Sequence, residues 1–92
     1  MTREQILAWL DARRPAPPDA LRQRLRDAVH ATPLRLPAHL AQLGDELLAR
    51  VAARSAGKGG GGRELALDLL AADAFATYAF EAQAEEESIH ET

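Results

Sequence analysis

The sequence predicts an all-α fold: a four-helix bundle-like domain with a long, Ala/Leu-rich fourth helix after a Gly-rich linker. Three observations carry this. Arg63 to Ala84 holds eight alanines and four leucines with no Gly and no Pro, and Ala and Leu are the strongest helix formers. β-branched residues, the usual material of strands, are scarce: Ile6, Val29, Val51, Ile89 and four threonines. Prolines cluster at 15–18 and at 33 and 37, between apolar stripes of helical spacing.

Each element has its own local reason. Thr2-Arg3-Glu4-Gln5 is a capping-box pattern, with Thr2 as N-cap and Gln5 at the third helical position. The helix that follows, near 2–13, groups Ile6, Leu7 and Leu10 beside Trp9, and Pro15 ends it. A second helix near 18–31 opens with Pro18 and Asp19, both suited to a helix N-terminus. Leu21, Leu25, Ala28 and Val29 make its stripe. A third, near 37–56, carries Leu36, Leu40, Leu43, Leu47 and Val51, widened by Leu48. Gly44 lies inside it, where a missing side chain permits close approach of another helix. Ser55 to Gly62 is a linker of roughly 15 Å as a coil.

The fourth helix is expected near 62–86 and is apolar over most of its circumference, so it needs neighbours on several sides. One domain, 1–87, is expected, followed by an acidic tail at 88–92 that frays. Helix should account for about 60% of the chain or more, with no sheet.

Composition excludes several classes. Without cysteine there is no disulfide framework and no thiolate metal site. The first twenty residues hold Glu4, Asp11, Asp19 and three arginines and lack an apolar leader. Asp68, Asp73 and Glu81 make membrane insertion of the fourth helix unfavourable. The expectation is a soluble, cytoplasmic protein. The net charge of −3 is unevenly spread, with ten Lys/Arg against six Asp/Glu in residues 1–60 and Arg63 against eight acids beyond. Such an asymmetry fits an acidic tail or a basic binding face, and equally two halves that attract each other within the fold or across a dimer.

Chemical motifs are weak. Lys58 is followed by glycine and preceded by no strand, so the Gly-rich run is not a phosphate loop; an anion held by Lys58 and Arg63 is the lesser reading beside a plain linker. Glu87 and His90 form a single Glu-x-x-His, where a di-iron bundle needs two. Asp68 and Asp73 are five apart and turn to different sides, so pairing with arginines is the simpler role. No catalytic residue, cofactor or metal site is assigned.

The leading expectation is a small non-enzymatic interaction protein, an adaptor, regulator or accessory subunit. It would act as a homodimer or on a larger protein through the fourth helix. The first and second helices, roughly 18–21 Å, fall short of a fourth of about 33 Å, so Leu67, Leu70, Phe75, Tyr78 and Phe80 are expected at an interface. The alternative, ranked behind it, is a nucleic-acid-binding regulator using Arg22, Arg24 and Arg26.

Overall fold

A computed structural model describes residues 1–55 and 62–90. Four α-helices make up 80% of the structure, with no strand among the described residues. They are α1 (Arg3–Asp11), α2 (Asp19–Ala28), α3 (Leu36–Ser55) and α4 (Gly62–His90).

The expected capping box forms. The Thr2 hydroxyl accepts from the Gln5 amide at 3.1 Å, and the Gln5 side-chain oxygen accepts from the Thr2 amide at 2.9 Å. α1 stops at Asp11, two residues short of the expected end. α2 stops three residues early for a tertiary reason. Val29 turns extended and is buried, and its carbonyl accepts from Arg3 Nε at 3.1 Å. Thr32 and Met1 then exchange two backbone hydrogen bonds, Thr32 N to Met1 O at 3.0 Å and Met1 N to Thr32 O at 2.7 Å. These long-range bonds hold an extended connector where local propensity would continue the helix. α4 runs to His90, four residues past the expected end. At 29 residues it is about 43 Å long. Residues 91 and 92 of the expected tail lie outside the described residues, as does the linker segment 56–61.

The largest interface joins α3 and α4. They run antiparallel: Arg35, just before α3, pairs with Glu86 at 3.0 Å, and Arg54 near its end pairs with Asp68. Gly44 marks the middle. A Cβ there would stand 3.2 Å from the Ala72 carbonyl oxygen and 3.4 Å from the Phe75 Cβ, so glycine is what lets the backbones meet. Ile6, Leu7 and Leu10 of α1, Leu25 of α2, and Leu40, Leu43 and Leu47 of α3 close around Ala71, Ala72, Phe75 and Ala82. α1 also reaches α4 through Trp9, whose ring meets Tyr78 edge to face at 5.9 Å and whose Nε1 donates to Glu85 at 2.9 Å.

The charge asymmetry is resolved inside one chain. Arg13 pairs with Glu85 at 2.9 Å while its guanidinium stacks over the Trp9 ring at 3.8 Å. Arg24 pairs with Asp68 at 2.9 Å and with Glu64. Glu85 and Glu64 are half exposed or more, so their bridges contribute little, about 0–1 kcal/mol each, whereas Asp68 is buried and depends on its arginines. Together they align the basic first half along the acidic fourth helix.

Candidate functional site

The five apolar residues expected at an interface do not share a surface. Phe75 is 0% exposed, packed at the centre of the core, and is corrected here from interface to core. The physical reason is Gly44: the close approach of α3 encloses the ring. Tyr78 is half-buried under Trp9, and burial raises its phenol above the ordinary range, helped by Glu81. Leu67 is also half-buried. Leu70 and Phe80 are open to solvent, at 55% and 79% exposure, but ten residues apart they point about 80° from each other around the helix.

Phe80 keeps different company. Leu69 of α4, 50% exposed, lies on its side of the helix, and Leu48 of α3, 52% exposed, stands on the neighbouring helix. The three line an open groove of about 650 Å³ between α3 and α4. Its other lining residues include the small Ala41, Gly44, Ala72 and Ala76. The groove runs along α4 from Leu69 to Gln83, about 21 Å. Leu69, Ala72, Ala76, Phe80 and Gln83 follow helical spacing, so the stripe was present in the sequence. Nothing there set it apart from the other apolar sides of the same helix.

The charge at the groove has one sign. Asp45 and Asp73 line it and are exposed; neither joins an ion pair among the described residues, and no Lys or Arg lines it. Asp68, five residues before Asp73, is by contrast 3% exposed and held by Arg24 and Arg54. The two aspartates therefore form no pair for acid–base work.

The arginines named for nucleic acid are engaged at home. Arg22 and Arg26 converge on Asp11, at 3.2 and 2.6 Å. The Arg26 hydrogen bond, with charge from Arg26 and Arg22, holds the Asp11 carboxyl below its usual range despite a partial desolvation. Arg24 turns to α4. The three make a buttress between helices.

His39 is the one buried imidazole among the described residues. It is fully enclosed, both ring nitrogens lack a hydrogen-bond partner, and the exposed His30 ring stands 4.8 Å away, edge to face. Burial, then the nearby His30, lowers its pKa below the ordinary 6.5; the Met1 amino group adds to this and Glu46 opposes it. The unfolded chain therefore binds the proton more readily than the folded one. The His39 contribution to stability is whole above about pH 6.5 and falls as pH drops toward the lowered folded value. His39→Leu should remove this slope. It should also stabilise the fold by about 1 kcal/mol, since no buried donor or acceptor is then left unpaired. Urea unfolding of both proteins at pH 7.5 and 5.5 measures each effect; equal pH dependence would refute the assignment.

Among the described residues no three His, Asp or Glu side chains gather in a way that could hold a metal ion. The side chain of His90, weighed beside Glu87, and Lys58, weighed as an anion contact, lie outside the described residues. No described helix is long and apolar enough to cross a membrane. Comparison with protein-family models, with curated proteins and with solved structures finds no match.

Proposed function

We propose that this is a small, cytoplasmic, non-enzymatic interaction protein, an adaptor or accessory subunit. It docks a protein partner in the groove between α3 and α4. One observation carries the reading: three large apolar side chains, Leu48, Leu69 and Phe80, stand half or more exposed along one small-residue channel. Keeping such a face in water is unfavourable, and continuous apolar patches on small proteins usually mark interfaces. In this reading the four helices form an incomplete bundle, and the partner supplies the missing side. The nucleic-acid alternative stands second, because Arg22, Arg24 and Arg26 would have to leave Asp11, Glu64 and Asp68 to reach phosphates.

A photo-crosslinking amino acid tests the reading in the native cell. Placed at position 80, it should trap a defined protein partner. At Gln23, exposed on α2, it should trap none. Equal products from both positions, or no product from position 80, would sink the proposal.

A further inference from the structure

The groove also constrains what fills it. We infer that its occupant is a single amphipathic α-helix of a partner protein, about four turns long, with basic residues flanking its apolar stripe. This rests on the docking reading above.

Length comes first. The channel extends about 21 Å along α4, the rise of about fourteen helical residues. Shape comes second. A helix needs neighbours 8–10 Å away, and closest approach requires small side chains at the crossing. Ala41, Gly44, Ala72 and Ala76 provide that channel, while Leu48, Leu69 and Phe80 supply bulk to pack between the partner's apolar side chains. An extended peptide would leave its backbone N–H and C=O groups against apolar walls that offer no partner, whereas a helix satisfies its own.

Charge decides between a foreign helix and a second copy. Asp45 and Asp73 lie at the groove, exposed and unpaired among the described residues, and no lining residue is basic. A second copy docked face to face would bring the same two acids and no cation to meet them. Like charges across an interface suppress association, and opposite charges favour it. A helix carrying Lys or Arg beside its apolar stripe answers both aspartates. This is the helix-in-groove mode, with anchors at i, i+3 or i+4, and i+7.

The probe is a synthetic helical peptide of about 18 residues, with Leu at i, i+4, i+7 and i+11 and Lys flanking the stripe. Two controls accompany it: the same peptide with Glu replacing Lys, and one with the leucines scrambled off the stripe. The Lys peptide should bind the wild type about tenfold more tightly than the Glu peptide, and the preference should shrink with added salt. D45N/D73N should erase the preference. L69A/F80A should weaken the Lys peptide at least about tenfold without unfolding the protein, since both side chains are exposed. Equal binding of the Lys and Glu peptides, equal binding of the scrambled peptide, or no binding at all overturns the inference. So does a dimer in sedimentation equilibrium that Phe80→Glu dissociates, because the occupant is then a second copy. Crosslinking from position 80 reports separately: a trapped partner with failed peptides removes the basic helix and leaves the docking reading standing.

Discussion

Phe75→Ala should lower stability by about 3–5 kcal/mol, the range for truncating a buried phenylalanine. The ring is fully enclosed in the cluster that includes Ile6, Leu40 and Leu43. The cavity cannot be closed by sliding α3 inward. At Gly44 the two backbones are already so close that even a methyl group would press on the Ala72 carbonyl. A domain of this size has about 5 kcal/mol or somewhat more in total, so the variant should be largely unfolded or unfold with little cooperativity at 37 °C. Phe80→Ala, five residues on, removes the same side chain from an exposed site and should change stability by less than about 0.5 kcal/mol. Urea denaturation of both decides the matter. A loss under about 1 kcal/mol at position 75 would place the ring outside the core. By the same logic, a glutamate at 75 unfolds the chain rather than separating two copies.

The second large effect is at Asp68. Its carboxylate is buried on α4 and compensated by Arg24 from α2 and Arg54 from α3, so one group ties three helices. Replacing both arginines by methionine keeps the aliphatic stems and removes the charges. The carboxylate is then buried without a counter-charge, and breaking such a pair from one side costs about 3–5 kcal/mol. The lower end is expected, because both guanidiniums are partly exposed and already screened by solvent. Adding Asp68→Leu to the double variant should recover most of the loss, since an apolar side chain needs no partner there. Chemical denaturation of the double and triple variants tests this. A triple variant no more stable than the double would show that the arginines act by packing rather than by charge.

Much of the architecture was legible before any coordinates. Thr2 and Gln5 announce the first helix by a hydrogen-bond pattern confined to four residues, and that pattern forms. Pro15, Pro17 and Pro18 separate α1 from α2 because a pyrrolidine ring constrains its own and the preceding residue wherever the chain goes. The end of α2 was not legible. Val29 leaves the helix to bury its side chain and give its carbonyl to Arg3, a partner 26 residues away. The candidate groove is legible only in part: the sequence singles out Phe80 without Leu48 or Leu69, and it assigns to a surface a Phe75 that the structure buries.

The sequence by itself determined that this chain is helical and where its four helices begin to within a residue, and its uneven charge allowed its basic first half to pair with its acidic fourth helix. Those properties rest on propensity, capping and charge, which act over a few residues or are summed over many. Only the tertiary structure decided which side of α4 stays in water. A helix rich in Ala and Leu all round has no preferred inner face of its own. The choice falls to its neighbours: Gly44 lets α3 close over Phe75, Trp9 covers Tyr78, and no described helix covers Leu69 and Phe80.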